Sequence, residues 1–215
     1  MIVAMSAETL DVPRAGFDIE EPWNTPAECT PVRLRRSTDA AAPRLSTTVA
    51  LWYDAEYLSV LFSASDDHVS ATHLRHDAPL YEQDVVEVFV APDRPSDYFE
   101  IEVSPRGTIF DARIHSPDGL RATMKVDRDW DCAGLFAAVR QLVESDGTTT
   151  IDTLLRIPFA SLNRATPVSG EIWRANFFRV DRHPEAGDEF SAWQPTLCVP
   201  ADFHVVAAFG VLRFG

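Results

Sequence analysis

Residues 84–115 read DVVEVFVAPDRPSDYFEIEVSPRGTIFDARIH, and this stretch decides the fold class of the chain. Apolar residues alternate at a period of two in Asp84–Ala91, Asp97–Ser104 and Thr108–His115, which is the side-chain spacing of β-strands. Proline, glycine and aspartate lie between these segments, as is typical of hairpin connections. The pattern predicts three consecutive strands that present one apolar, inward face, with Val88, Ile101 and Phe110 on it, and one carboxylate-rich face.

Shorter segments of the same kind extend this prediction along the chain. They are Val32–Arg36, Thr47–Tyr53, Tyr57–Ala64, Thr123–Asp127, Phe136–Glu144, Thr149–Ile157, Ile172–Asp181 and Val211–Phe214. Helical periodicity is nearly absent, and only Pro79–Tyr81 and Phe159–Leu162 are expected to form short helical turns. We therefore predict an all-β fold, an antiparallel two-sheet β-sandwich of the immunoglobulin or jelly-roll type. Residues 31–215 would form this single domain, and residues 1–30 an irregular lead-in that packs across it.

The composition restricts the partners that such a domain can bind. The 215 residues carry 19 Lys and Arg against 33 Asp and Glu, a net charge of −14. Nucleic acids and anionic membrane surfaces are disfavoured because both require a basic face. The longest apolar stretch, Phe203–Leu212, has about half of the ~20 residues that a membrane span needs. Neutral or cationic partners remain, and no particular oligomeric state is indicated.

Two features of the chain as written favour the cytoplasm. Residues 1–7 contain no Lys or Arg and are followed by Glu8, unlike a secretory signal. The three cysteines, Cys29, Cys132 and Cys198, are widely spaced, so that one thiol must stay unpaired in a monomer. A reducing compartment is therefore the expectation from these residues.

Enzymatic hypotheses rest on carboxylates, because the chain has no GxGxxG, GxSxG or HExxH motif. Four acidic residues of the three central strands could share one sheet face: Glu87, Glu100, Glu102 and Asp111. Glycoside hydrolysis uses a pair of carboxylates separated by about 5 to 9 Å. The simpler and favoured interpretation is a solvated polar face that Arg106 and Arg113 balance.

Two segments are candidates for metal binding. Residues 66–77 contain His68, His73 and His76 among aspartates, and residues 127–131 read DRDWD. The histidine spacing matches no ligand pattern, so a surface loop is the favoured interpretation there. Cys132 stands where an EF-hand loop needs glycine, which leaves an irregular calcium site as the remaining possibility for the second segment.

Three aromatic residues between the predicted strands are candidates for ligand binding. Tyr81, Trp193 and Phe203 each lie among polar residues and prolines, where a ring can stay partly exposed. Exposed rings beside a polar sheet face can bind the apolar face of a sugar, while carboxylates and arginines bind its hydroxyl groups. The combination makes a carbohydrate one candidate ligand.

The order of short motifs resembles a known family over residues 45–214. These motifs are LWYDAEYLSVLFSASDD, DAPLYEQDVVEVFVAPD, DYFEIEVSPRGTIFDARI, LLRIPFASL, GEIWRANFFRVDR, SAWQP and FHVVAAFGVLRF. Together they resemble the carbohydrate-binding modules of family nine and their free-standing bacterial relatives, which share a sandwich with sugar- and haem-binding DOMON domains. The resemblance implies sugar binding without catalysis, often with structural calcium, and an extracellular location.

The resemblance also assigns roles to individual residues. It places the two aromatic residues of the family's sugar clamp at Tyr81 and Phe203. It places a carboxylate that hydrogen-bonds sugar hydroxyls at Glu87. Trp193 takes the position of a packing residue that could also line the cleft.

A second polar pair departs from the family pattern, because Glu102 and Ser104 stand where characterised sugar binders have Arg and Asn. Our leading hypothesis is a non-catalytic module that holds a mono- or oligosaccharide between two rings, with hydrogen bonds from Glu87, Glu102 and Arg113. A DOMON-like sandwich that binds haem or serves as an interaction domain is the second alternative. A glycoside hydrolase that uses Glu87 and Glu102 is the third.

Overall fold

The computed structural model describes residues 7–215, and within these residues fourteen strands form two sheets. The first sheet contains β1 (Thr9–Val12), β3 (Arg35–Arg36), β6 (Val85–Arg94), β7 (Asp97–Val103), β8 (Ile109–His115), β9 (Lys125–Asp127), β12 (Ile172–Asp181), β13 (Glu189–Ala192) and β14 (Gly210–Phe214). The second sheet contains β2 (Val32–Arg33), β4 (Thr47–Tyr53), β5 (Tyr57–Asp66), β10 (Phe136–Val143) and β11 (Thr149–Pro158). Short 3₁₀ turns lie at Leu80–Glu82, Phe159–Leu162 and Val206–Ala208.

The strand order of the first sheet is β1-β14-β12-β6-β7-β8-β9, and β13 connects β3 to the C-terminal half of β12. The order of the second sheet is β10-β11-β5-β4-β2. The prediction of an all-β, two-sheet sandwich is confirmed. One difference from the fully antiparallel arrangement is that β1 pairs with β14 in parallel.

Two strands were not predicted from the sequence. They are β1 and β13, and each has only four residues. β1 lies in the segment expected to be an irregular lead-in, so that expectation is wrong for Thr9–Val12. Leu10 and Val12 of this strand are buried in the main core.

The main core lies between the two sheets. Val88 and Ile101 from the first sheet pack with Val60 and Phe62 from the second, and all four side chains are inaccessible to solvent. These residues alternate with the side chains of the opposite face along each strand, as the sequence pattern requires. The predicted inward direction of Val88 and Ile101 is therefore observed.

The first sheet also buries its outer face, the face turned away from the second sheet. A second apolar cluster covers that face and includes Phe89, Tyr98, Phe110, Phe178 and Phe209. A sheet buried on both faces carries apolar residues at successive positions, which explains runs such as the VVEVFV segment of β6. This outer cluster surrounds the candidate site.

The remainder of the N-terminal segment packs on the outer face of the second sheet. Phe17 and Trp23 contact a small cluster formed by Trp52, Leu61 and Leu154. The lead-in therefore crosses the sandwich on the side opposite the candidate site. Within residues 7–215, none of the helices has the length and apolar character that a membrane span requires.

Candidate functional site

Three glutamates form the polar centre of the outer face of the first sheet. Glu87 on β6 lies directly opposite Glu102 on β7, and Glu100 occupies the next position of the same face of β7. One carboxylate oxygen from each residue lies within 4.8 Å of the others. The register of β8 then places Phe110 beside Glu102. Strand pairing thus concentrates three acidic groups at one point of an apolar face.

All three glutamates are buried. Their exposed fractions are 2% for Glu87, 6% for Glu100 and 0% for Glu102. Both carboxylate oxygens of Glu102 lack a hydrogen-bond partner among the described residues other than the neighbouring Glu100 carboxyl. The favoured interpretation from the sequence, a solvated polar face, is therefore wrong at these positions. The outer face is covered by the second apolar cluster, which the alternation alone did not reveal.

The glutamates form part of the wall of an open cavity of about 440 Å³. Aromatic rings contribute a second part of the wall, namely Tyr81, Phe110, Phe190 and Phe203. Met124 and His204 and the three arginines Arg121, Arg128 and Arg182 also line it. A concave site of this volume, with apolar walls and a few converging polar groups, is typical of small-ligand binding.

The two rings that the resemblance singled out both line this cavity, but they differ in exposure. Tyr81 belongs to the 3₁₀ turn Leu80–Glu82 and is 42% exposed. Phe203 is only 8% exposed, and its ring stacks on Phe178 with a centroid distance of 4.2 Å and an interplanar angle of 13°. Phe190 packs edge-on against Phe203 at 6.0 Å. Tyr81 is thus a wall residue that is partly exposed to solvent, whereas Phe203 is held by the outer cluster.

The burial of the glutamates changes their ionisation. Burial raises the pKa of Glu100 to about 7, while the charges of Arg121 and Arg128 act in the opposite direction. The pKa values of Glu87 and Glu102 are raised well above the usual range, mainly by burial and further by the neighbouring carboxylates. A larger fraction of these carboxyl groups is therefore protonated near pH 7 than of exposed glutamates.

His204 joins the acidic centre to the aromatic cluster. Its Nδ1 atom and the Tyr98 hydroxyl form a hydrogen bond of 2.6 Å, and its Nε2 atom lies 3.8 Å from Glu100 Oε1. Its ring also packs on Phe89 at a centroid distance of 5.1 Å. Burial lowers the pKa of His204 to about 4, so the imidazole is neutral near pH 7.

The arginines of the pocket are engaged away from the glutamates. Arg121 forms an ion pair of 2.8 Å with Asp202. Arg182 pairs with Asp188 and donates a 2.6 Å hydrogen bond to the carbonyl oxygen of Tyr81. The guanidinium of Arg128 lies 5.4 Å from the centroid of the Phe110 ring. These cations border the cavity without forming an ion pair with its carboxylates.

The structure brings together four of the seven site residues predicted from the sequence. Tyr81, Glu87, Glu102 and Phe203 line one cavity. Three others lie elsewhere, namely Ser104, Arg113 and Trp193.

Each of these three residues has a different position in the fold. Ser104 is buried at the turn after β7, where its hydroxyl accepts hydrogen bonds from the backbone N–H groups of Arg106 and Thr108. Arg113 is exposed, and its register with Phe99 places it on the opposite face of the first sheet from the glutamates. Trp193 is 2% exposed and packs against Phe177 in the main core. We therefore correct the predicted site by removing these three residues.

Asp111 is also excluded from the acidic centre, because β8 pairs it with Ile101 rather than with a glutamate. Other wall residues were not predicted from the sequence, above all His204 and the three arginines. His204 lies within the apolar stretch Phe203–Leu212, where the pattern gives it no role. No local pattern marks these residues, because they come from loops, including the residue that follows β12, and converge only through the sheet order.

A second cluster of metal-ligating groups lies outside this pocket. His76, Asp77 and Asp111 each place one ligand atom within 4.8 Å of the others. Asp111 Oδ2 accepts a 2.9 Å hydrogen bond from the Cys132 N–H, while Asp111 Oδ1 and Asp77 Oδ1 are buried without a partner. Of the three histidines considered from the sequence, His76 alone belongs to this cluster among the described residues. The DRDWD segment does not contribute to it.

Comparison with known proteins identifies relatives of the whole domain. The sequence profile of carbohydrate-binding family 9 matches residues 34–214. A curated protein of the fungus Arthroderma benhamiae, named "Extracellular protein", is 26% identical over 204 residues. The aligned region covers 90% of this chain and 87% of the relative.

Solved structures share the fold. A structure from Bacteroides uniformis, described provisionally as a carbohydrate-binding protein, superposes with a TM-score of 0.75 at 15% identity and covers 98% of this chain and 100% of its own. A family 9 carbohydrate-binding module from Caldicellulosiruptor kristjanssonii in complex with cellotriose gives a TM-score of 0.62 at 16% identity, with 96% and 93% covered. At these identities the likeness shows a common fold.

Proposed function

The chain belongs to carbohydrate-binding family 9, and on that premise we propose that it binds a mono- or oligosaccharide in the cavity on the outer face of the first sheet. The observation that carries the proposal is that Tyr81, Phe203, Glu87 and Glu102 line the same cavity. Rings of this kind cover the apolar face of a pyranose, and buried carboxyl groups hydrogen-bond its hydroxyls. Glu100 and His204 extend the polar side of the proposed site.

The two rings have different parts in this proposal. Tyr81 is exposed on the cavity wall and presents a face that a sugar ring can cover. Phe203 has one face occupied by Phe178, so only its remaining surface is available to a ligand. Tyr81 is therefore the residue whose removal should affect binding most directly.

Calorimetric titration with cellotriose and with glucose tests the proposal. The wild type should bind at least one soluble sugar, and Tyr81→Ala should weaken that binding by roughly ten- to a hundredfold, since each tenfold corresponds to about 1.4 kcal/mol. Phe136→Ala is the matched control, because Phe136 is a similarly exposed ring on β10 outside the cavity. A broad glycan array that shows no binding, or equal losses in both variants, would contradict the proposal.

Binding without catalysis is part of the same proposal. The proposal rests on the family, whose members are binding modules, since the raised pKa values of the three glutamates are also compatible with the protonated acid that a glycosidase needs. The hydrolase alternative is tested with the wild type and Glu87→Gln on aryl glycosides and oligosaccharides. Turnover by the wild type that disappears in Glu87→Gln would replace the binding proposal with the enzymatic one.

Haem binding is the second candidate, because the cavity contains both a histidine and a methionine, His204 and Met124. The surroundings of His204 favour it less. Its Nδ1 atom is hydrogen-bonded to Tyr98, and its Nε2 atom faces Glu100. Addition of haemin to the purified protein gives the direct test, since axial ligation produces a shifted Soret band and its absence excludes this alternative.

For the location of the protein we propose the extracellular alternative. The name of the fungal relative supports it, as does the family resemblance. The cytoplasmic location expected from the chain as written has no support from these comparisons. Fractionation of the native organism with an antibody against the domain distinguishes the two.

We further propose that His76, Asp77 and Asp111 hold a structural metal ion. The two buried oxygens without partners, Asp77 Oδ1 and Asp111 Oδ1, support a cation at this position. The resemblance to the family led us to expect calcium, which takes oxygen ligands. The imidazole in this set is instead a ligand typical of zinc and other transition metals, so the donor set fits zinc better than calcium.

A further inference from the structure

The acidic centre of the cavity lacks a basic partner in the part of the chain that the structure describes. No Lys or Arg nitrogen lies within ion-pairing distance of Glu87, Glu100 or Glu102 in residues 7–215, and the nearest basic atom is His204 Nε2 at 3.8 Å. The neighbouring arginines contact other groups. Arg121, for example, forms an ion pair with Asp202. The three carboxyl groups therefore form no direct ion pair with Lys or Arg among the described residues, and the charges of Arg121 and Arg128 act on them only from a greater distance.

The surroundings of Glu102 give the strongest indication that a bound ligand supplies a positive charge or a hydrogen-bond donor. The side chain of Glu102 is fully buried, and apart from a proton shared with the neighbouring Glu100 carboxyl its oxygens meet no hydrogen-bond donor among the described residues. An unsatisfied buried carboxyl group is unfavourable, and native proteins usually satisfy such groups with a ligand, an ion or an ordered water molecule. Because Glu102 also lines the cavity, a ligand in the cavity can reach it.

The spacing of the three carboxyl groups indicates the kind of donor. A sugar hydroxyl donates a single hydrogen bond, whereas an ammonium group donates three and carries a positive charge. Two oxygens that each lie about 2.8 Å from one tetrahedral nitrogen are about 4.6 Å apart. The oxygens of Glu87, Glu100 and Glu102 lie within 4.8 Å of one another, which suits an ammonium group bound to all three.

The rest of the cavity indicates what carries that ammonium group. A volume of about 440 Å³ is far larger than a lone ion requires, and the rings of Tyr81, Phe110 and Phe203 line it. Such walls suit the apolar face of a pyranose ring. The net charge of −14 adds a field that attracts cationic ligands.

We propose that this cavity is specific for sugars that carry a free amino group, with the ammonium group bound by Glu87, Glu100 and Glu102. The inference rests on the proposed function, because it assigns a ligand class to the same cavity. It goes beyond that function by requiring a positive charge on the sugar. N-acetylation of the amino group removes this charge and should remove the preference.

The test compares three trisaccharides by calorimetry in the same buffer at pH 7. They share β-1,4-linked pyranose rings and differ at carbon 2: cellotriose has a hydroxyl group, chitotriose an N-acetyl group, and the trimer of glucosamine a free amino group. The glucosamine trimer should bind at least tenfold more tightly than the other two, and added salt should weaken its binding most. Equal affinities would overturn the inference while leaving the proposed function intact. Absence of binding to all three, and to a wider glycan array, would overturn both.

A variant tests the proposed contact of Glu102 with the ammonium group, and a chelator tests whether a metal ion occupies the acidic centre instead. Glu102→Gln should abolish the preference for the glucosamine trimer, whereas Glu144→Gln, an exposed residue beyond the end of β10, should keep it. Retention of the preference in Glu102→Gln contradicts the assigned contact. In the Asp111→Asn variant, which lacks the other proposed metal site, sugar binding that is lost in EDTA and restored by calcium would show that a metal ion, rather than an ammonium group, occupies the acidic centre, and would also overturn the inference.

Discussion

Glu87 and Glu102 face each other directly across β6 and β7, buried beside the outer apolar cluster at the wall of the cavity, and the oxygens of Glu102 have no hydrogen-bond partner among the described residues other than the Glu100 carboxyl. Like charges placed directly opposite each other in a sheet destabilise it. Burial adds to this cost because it removes the water that would solvate them. The protein thus keeps an arrangement that weakens its own fold at the place where a ligand is proposed to bind.

This relationship predicts that Glu102→Gln stabilises the protein at alkaline pH. A carboxyl group with a raised pKa in the folded state loses stability as the pH rises, because the unfolded chain releases its proton first. Burial raises the pKa of Glu102 well above its usual value of 4.5 and that of its neighbour Glu100 to about 7, so the loss begins as the pH rises past about 4.5 and continues at least to pH 7. Thermal unfolding should show a higher melting temperature for the variant at pH 8, by about 2–4 °C for each kcal/mol regained.

The advantage of Glu102→Gln should shrink as the pH falls to 5, where the wild-type carboxyl is protonated. His204 also contributes a pH dependence, since its lowered pKa of about 4 makes the fold gain stability as the pH rises towards 6.5. That contribution is present in both proteins and cancels in the difference between them. A variant that is less stable than the wild type at pH 8 would show that Glu102 has a compensating partner.

Phe203→Ala should lower both sugar affinity and stability. The ring stacks on Phe178 and is 8% exposed, so its removal leaves a cavity in the outer cluster. We expect a loss of about 3 kcal/mol in the free energy of unfolding by urea denaturation. Tyr81→Ala, at a residue that is 42% exposed, should change this free energy by less than about 0.5 kcal/mol. Equal stability of the two variants would contradict the packing described for Phe203.

Truncation of the main core should be costly at both of the positions expected to face inward. Val88 and Ile101 lie opposite each other on β6 and β7 and are inaccessible to solvent. Either change to Ala should cost about 2 to 4 kcal/mol by lost transfer energy and by the cavity left behind. Val143→Ala, at a residue that is 79% exposed at the end of β10, serves as the control and should be nearly neutral in the same denaturation experiment.

The period-two pattern was sufficient for the fold class and for most strands, since β4 and β12 begin and end at the predicted residues. The pattern did not predict which residues of neighbouring strands share one face of the assembled sheet. Alternation determines which residues of one strand share a face, but the register between strands determines which faces coincide. Phe110 was grouped with the apolar inner residues, whereas its register with Glu102 places it on the outer face.

The same limit explains the outcome at the candidate site. Glu87 and Glu102 were found because adjacent hairpin strands bring them together, and Tyr81 because its motif resembles the family. His204 and Arg182 reach the cavity from distant parts of the chain, through a loop near the C-terminus and through the residue that follows β12. Such convergence depends on the sheet order and has no local signal in the sequence.

The proposed metal site yields the last prediction. Asp111 is 2% exposed and has one oxygen without a donor, next to Asp77 and His76. A metal bound by these groups stabilises the folded state because the unfolded chain lacks the preformed site. EDTA should therefore lower the melting temperature without preventing folding, and zinc should restore it more effectively than calcium.

Asp111→Asn separates this effect from other actions of the chelator. The amide keeps the volume of the side chain and can still accept the Cys132 N–H hydrogen bond, but it removes the negative charge that attracts the ion. The melting temperature of this variant should no longer respond to EDTA or to zinc, whereas Asp127→Asn, in the DRDWD segment outside the cluster, should respond like the wild type. An unchanged melting curve of the wild type in excess chelator would contradict the proposed metal ion. Full recovery of the melting temperature with calcium alone would show that the site binds calcium rather than zinc.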